Sequence, residues 1–198
     1  MAAESRGVAD FWYEVGQLKR TERTGWRFAR MANPESVADH SFRTAVIAMT
    51  LAALCDVDPH RAASIALLHD LSETRLGDLH HLAQVYLPES PVREVTEDQF
   101  AGLPTPVARV LRGLTDAWLD QDCAEARLAK DADVLEAILH LRENPPGTAD
   151  LLAEWTDYLA QRLHTEAGRE MLTEIIGTAP DDWWPRLVRQ RRGPRREP

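Results

Sequence analysis

Four side chains scattered along this chain, His40, His69, Asp70 and Asp133, form a mixed set of imidazoles and carboxylates of the kind that holds a catalytic divalent metal. His69 and Asp70 lie within Leu67-Leu68-His69-Asp70-Leu71-Ser72-Glu73, and Asp133 within Lys130-Asp131-Ala132-Asp133. The leucines around the His-Asp pair predict a buried position, where an unpartnered imidazole and carboxylate cost on the order of several kcal/mol. A metal ion supplies the partner. Three or four protein ligands leave coordination positions for water and substrate, which is the arrangement hydrolysis needs. Glu73 sits one helical turn beyond the pair and is the candidate general acid or base. Asp70 counts both as a ligand and as a catalytic residue. Taken singly, His40 fits a core histidine and Glu73 a solvated glutamate at a helix end; the combination argues for a site.

These residues need helices to position them. Apolar residues recur at spacings of three and four almost throughout, without a convincing alternating strand, so the chain reads as all-α. His40 shares a stripe with Val37, Thr44, Ile47 and Ala48 and so faces inward, while Asp133 has Ala129 and Ala137 one turn to either side. Asn33-Pro34-Glu35 and Asp58-Pro59 each place a capping side chain before a proline at a first helical position, predicting helices over 34–55 and 59–74. Others are expected over 8–20, 78–88, 91–100, 104–117, 123–143, 148–165 and 167–177, punctuated by Gly77, Pro88, Pro91, Pro104, Pro145-Pro146-Gly147 and Gly177. Trp155, Trp183 and Trp184 are expected to dock the final stretch on the rest.

Composition narrows the function. A chain of 198 residues, 44% apolar, suits one domain, expected over 1–180, followed by a basic tail over 181–198. The net charge of −9 argues against general nucleic-acid binding. The basic cluster of Arg186, Arg189, Arg191, Arg192, Arg195 and Arg196 reads as a frayed, solvated end. Cys55 and Cys123 are too few for a disulfide framework and fit a reducing cytoplasm. Neither a secretory leader nor a run of about 20 apolar residues is visible, so no membrane partner is expected.

The order His40, His69-Asp70, Asp133 resembles the H…HD…D signature of the HD-domain metal-dependent phosphohydrolases. Arg23-Thr24-Gly25-Trp26, Pro34-Glu35-Ser36-Val37-Ala38-Asp39-His40, His69-Asp70-Leu71-Ser72-Glu73, Gly77-Asp78 and Lys130-Asp131-Ala132-Asp133 further resemble the HD-domain 5′-deoxynucleotidases, in order and spacing, over about residues 10–165. The resemblance implies a single helical HD domain that hydrolyses nucleoside 5′-monophosphates, preferring 2′-deoxynucleotides, as a homodimer. It implies that His40, His69, Asp70 and Asp133 ligate the metal and that Glu73 transfers protons. Trp26, with an indole free to line the pocket, would exclude a 2′-hydroxyl, and Asp78 would accept from a ribose hydroxyl. Asp78, Leu79, His80 and His81 would form the substrate loop, with Arg23 or Lys130 at the phosphate.

Two positions depart from that pattern. Gly25 stands where bacterial members carry an arginine, as in the eukaryotic and archaeal branch, and His80-His81 replaces a common Pro-Thr. The second change points to drift in nucleotide preference, for example toward an unusual nucleotide of specialised metabolism. Adjacent helical histidines point about 100° apart and do not readily share one metal, so one divalent ion is expected. Mn²⁺ or Co²⁺ suits the mixed ligands, with Mg²⁺, Zn²⁺, Fe²⁺ or Ni²⁺ as alternatives. The rival readings are an HD-type phosphodiesterase, a nucleoside triphosphate hydrolase, and a non-catalytic helical metal-binding protein.

Overall fold

A computed structural model of the chain describes residues 2–87 and 91–192. Among these residues there is no strand, only an isolated antiparallel bridge between Glu22 and Ser36, so the all-α expectation holds. Helix α1 (Ala2–Val15) gives way to a 3₁₀ turn, Gly16–Lys19, and a second 3₁₀ turn, Thr24–Arg27, carries Gly25 and Trp26. α2 (Val37–Leu54), α3 (Pro59–Leu68), α4 (Glu73–Leu76), α5 (His81–Tyr86), α6 (Val92–Phe100) and α7 (Thr105–Asp120) follow. The chain continues through α8 (Ala124–Glu143), α9 (Ala149–Ala160), α10 (Glu166–Gly177) and α11 (Trp183–Arg192).

The core lies where α2, α3 and α8 meet. Ala48, Ala52, Ala62, Ala66, Ala126, Ala129 and Ala132 are all buried there, and such small side chains let helix backbones approach closely. Leu51, Ile65, Leu135, Ile138 and Leu141 fill the remaining space. Truncating one of these to alanine costs about 2–5 kcal/mol. A second cluster of Leu71, Phe100, Leu103 and Ala108 lies under α1, where Phe11 meets Phe100 edge-on at 6.1 Å.

Helix ends show where local chemistry overrode the expected boundaries. α2 is capped by Ser36 rather than in the Asn33-Pro34-Glu35 segment, because Ser36 and Asp39 form a reciprocal capping box. Asp58 caps α3 as expected, its carboxylate accepting from His60 N and Arg61 N. The helix expected over 59–74 breaks after Leu68. Through His69–Ser72 the backbone forms tighter bonds, Leu71 N to Leu68 O at 3.1 Å and Glu73 N to Asp70 O at 3.0 Å. The helix expected over 78–88 is shorter, because Gly77, at φ +71°, ends α4 and the chain has no regular structure before His80, whose Nδ1 caps α5.

The C-terminal helices dock through Trp155 as expected, but not through Trp183 and Trp184. α9 packs through Trp155 and Leu159. α10 is pinned by buried Asp131, which accepts from His164 N at 2.6 Å and from Thr165 N at 2.9 Å, and a Cβ at Gly168 would strike that carboxylate. Trp183 and Trp184 do not dock: they are 62% and 52% exposed on α11. Residues 183–192 are helical rather than frayed, and Arg195 and Arg196 fall outside the described residues.

Candidate active site

The break after α3 turns His69 and Asp70 toward α2 and α8. His40 Nε2 lies 3.3 Å from His69 Nε2 and 3.2 Å from Asp133 Oδ1, and His69 Nε2 lies 3.0 Å from Asp70 Oδ2. The wider pairs, His40 Nε2 to Asp70 Oδ2 and His69 Nε2 to Asp133 Oδ1, are each 3.9 Å. Ligands about 2.1 Å from one metal stand roughly 3.0–3.4 Å apart in neighbouring positions and somewhat wider across it, so His40, His69 and Asp133 could hold a single ion, with Asp70 beside the two imidazoles.

The donor chemistry agrees. His69 Nδ1 donates to Ala66 O at 2.6 Å, and His40 Nδ1 meets the carboxylate of Glu136. With both Nδ1 atoms committed, both Nε2 lone pairs face each other and two carboxylates, an arrangement that needs protons or a cation at its centre. Burial and Arg23 work against charge on His40, but Asp133 and Glu136 outweigh them and lift its pKa to about 9. Burial opposes charge on Asp70 as well, yet His69, Arg23 and His40 hold it down to about 2. Asp133 is likewise held well below the carboxylate range, against burial, by Lys130, His40 and His69.

Glu73 has the opposite environment. Burial, reinforced by Asp70 and Asp78, pushes its carboxyl up to about 10, and its Oε2 finds no hydrogen-bond partner among the described residues. It faces a cavity of about 580 Å³ that also takes in Arg23, Gly25, Trp26, Asp78 and Asp133. A carboxyl with an unspent oxygen, turned into a cavity beside converging imidazoles and carboxylates, can carry a proton to or from a bound molecule.

The remaining expected residues are placed as follows. Arg23 stands 3.3 Å from Asp70 and 3.9 Å from Asp133, and Lys130 lies 3.3 Å from Asp133 and over the Trp118 ring. Asp78 Oδ2 is occupied by Thr24, whose backbone N and Oγ1 both donate to it. His80 and His81 line the cavity, while Leu79 lines a smaller neighbouring one of about 230 Å³. Trp26 corrects the expectation of an indole kept out of the core. It is only 4% exposed, tilted between His140 and Trp155, and its Nε1 donates to Glu35 Oε1 at 3.0 Å. The tight turn at Thr24–Arg27 tucks the ring inward so that it is core and cavity wall at once.

Sequence reasoning missed Glu136, Arg43 and Glu35. Glu136 is fully buried on α8, with His40 on one oxygen and Arg43 Nε at 2.9 Å on the other. Burial raises its pKa, but His40 and Arg43 bring it below the usual value. Its signal was an acidic residue one turn after Asp133, within the apolar run Val134-Leu135-Glu136-Ala137-Ile138-Leu139. Burial and Glu136 push Glu35 up to about 7.

A family profile described as HD domain matches residues 15–176. The chain belongs to the HD-domain family. Within it the chain is similar to 5′-deoxynucleotidase HDDC2 of Bos taurus, 35% identical over 154 residues that cover 72% of this chain and 73% of that protein. Among solved structures, a conserved hypothetical protein from Pyrococcus furiosus aligns with a TM-score of 0.70 at 30% identity, covering 86% of this chain and 99% of that one. The cyanophage S-2L HD phosphohydrolase DatZ, described as bound to dA and one catalytic Zn²⁺, shares the fold with a TM-score of 0.58 at 20% identity, covering 84% and 96%.

Proposed function

We infer that this protein is a metal-dependent phosphomonoesterase that hydrolyses nucleoside 5′-monophosphates, preferentially 2′-deoxynucleotides, to nucleosides and phosphate. One observation carries the reading: the His40 and His69 Nε2 atoms lie 3.3 Å apart and each within 3.0–3.9 Å of the Asp70 and Asp133 carboxylates, and Asp133 and Glu73 share one cavity wall. The similarity to 5′-deoxynucleotidases sets the substrate class.

His40, His69, Asp70 and Asp133 would hold the ion, with Mn²⁺ or Co²⁺ suiting their mixed nitrogen and oxygen donors. A divalent cation there supplies a Lewis acid that acidifies water and draws charge from a phosphoryl oxygen. Glu136 and the Ala66 carbonyl fix the two imidazoles so that Nε2 of each faces the site. Glu73 transfers a proton between attacking water, the departing 5′-oxygen and solvent. Trp26 forms the wall against which the sugar lies, and its fixed ring leaves little room for a 2′-hydroxyl. Asp78 Oδ1 can accept from the 3′-hydroxyl while Oδ2 holds Thr24, and Gly25, Leu79 and His80 shape the loop around the nucleoside.

We assign residues 1–180 to the catalytic domain and 181–198 to a basic appendage. Among the described residues no helix is long and apolar enough to cross a membrane. Placement in the cytoplasm and assembly as a homodimer complete the reading; exposed Phe42, Val46 and Met49, spaced along one face of α2, offer an apolar surface for a second copy. His69→Ala and Asp70→Ala test the site directly. Each should lose bound metal and phosphate release together, and full activity with normal metal content in either would refute the assignment.

A further inference from the structure

The cavity contains a cation, Arg162, that no carboxylate among the described residues answers. Arg23 stands against Asp70 and Asp133, and Lys130 against Asp133, whereas among the described residues no carboxylate comes within ion-pair distance of Arg162. Its guanidinium Nη1 instead donates to Nε2 of His81 at 2.6 Å. An accepting Nε2 requires a neutral imidazole, and burial together with Arg162 itself lowers the pKa of His81. The His81 ring packs edge-on against Tyr158, one turn before Arg162, at 5.8 Å. Arg162 is thus aimed by a neutral neighbour that leaves its charge unspent.

Its position along the cavity follows from helix register. Asp131 on α8 accepts from His164 N and Thr165 N just after α9, which sets Arg162 near the level of Lys130. Trp26, against His140 and Trp155, marks the opposite end. Asp133 lies between these two levels on α8. An aromatic end and a cationic end flanking the metal-ligand set match a phosphate monoester, whose nucleoside is apolar and flat and whose other end is a dianion.

We propose that Arg162, held in place by His81, binds the substrate's phosphate, its planar fork taking two non-bridging oxygens beside the metal-ligand set. The proposal rests on the phosphomonoesterase reading. Arg23 is occupied by the carboxylates of Asp70 and Asp133, so Arg162 supplies the unshared charge. His81 is a positioning residue that acts only through Arg162.

The test uses the metal-loaded protein and its Arg162→Gln, Arg162→Lys, His81→Ala and His81→Gln variants. Calorimetry measures the affinity for inorganic phosphate and, separately, for a 2′-deoxynucleoside; kinetics measure KM and kcat for the monophosphate. Arg162→Gln should weaken phosphate binding roughly 10- to 100-fold, the loss expected for a charge-assisted bidentate contact, and leave nucleoside affinity within about twofold. KM should rise more than kcat falls. Arg162→Lys, which keeps the charge but not the fork, should lose part of the affinity and exposes any folding artefact in the Gln variant. His81→Ala should weaken phosphate binding less, and His81→Gln, whose amide oxygen can accept from Arg162, should restore it. Unchanged phosphate affinity in Arg162→Gln, or loss of nucleoside binding in its place, overturns the proposal. Phosphate bound through Arg162 with no release from any nucleoside monophosphate would refute the monoesterase reading and leave this inference standing.

Discussion

Glu136→Gln probes a part of the site that touches no substrate. In the wild type one oxygen of Glu136 meets His40 Nδ1, and the other takes Arg43 Nε at 2.9 Å and a terminal guanidinium nitrogen at 2.8 Å. Glutamine keeps the volume but offers one acceptor oxygen and one NH₂. Arg43 cannot give up its protons, so the oxygen goes to Arg43 and the NH₂ turns to His40. His40 must then accept on Nδ1 and carry its proton on Nε2, the atom 3.2 Å from Asp133 that a metal needs. The metal-free fold tolerates this, because that proton still points at Asp133. Metal binding does not tolerate it: affinity should fall about 10- to 100-fold, or roughly 1.4–2.8 kcal/mol. The assay is chelator competition for Mn²⁺, with melting curves taken with and without the ion. The expected result is a near-normal metal-free melting temperature and a smaller upward shift on adding metal. Wild-type metal affinity in Glu136→Gln would refute the tautomer argument.

Glu73→Gln should behave differently. Metal should be retained while turnover falls about 10²- to 10⁴-fold, and loss of metal would instead make Glu73 a ligand. In the metal-free protein Glu73 titrates near 10 rather than at its ordinary 4.5, so its protonated form is favoured by folding and that contribution fades as pH rises from 4.5 toward 10. The variant should therefore melt higher than wild type by an amount that grows between pH 5 and pH 9; a pH-independent difference would contradict the assigned burial. Trp26→Ala should lower the melting temperature, because the ring is core, and should also narrow the ratio of kcat/KM for dAMP over AMP by about 1–3 kcal/mol. An unchanged ratio would leave Trp26 a packing residue only.

Where the sequence was legible, chemistry and periodicity pointed the same way. His40 reads as inward from its stripe with Val37, Thr44 and Ala48, and it is fully buried. His69-Asp70 among leucines reads as a buried polar pair, and it meets His40 and Asp133 across three helices. Glu136 was harder to see, because α8 is enclosed on nearly all sides and its apolar pattern marks no solvent face from which an inward acid could be told apart. The His81–Arg162 pair joins residues far apart in sequence, and neither local pattern announces it. Trp183 and Trp184 misled, since two tryptophans promise burial but α11 leaves both exposed.

The most direct test of the central claim is phosphate release from matched 2′-deoxy- and ribonucleoside 5′-monophosphates, measured on the chelated protein and again after Mn²⁺ or Co²⁺ is restored. The account predicts negligible release without metal, recovery with it, and faster turnover of the deoxy partner of each pair. Undiminished hydrolysis in the chelated protein, or metal-restored protein that releases no phosphate from any of these monophosphates, would contradict it.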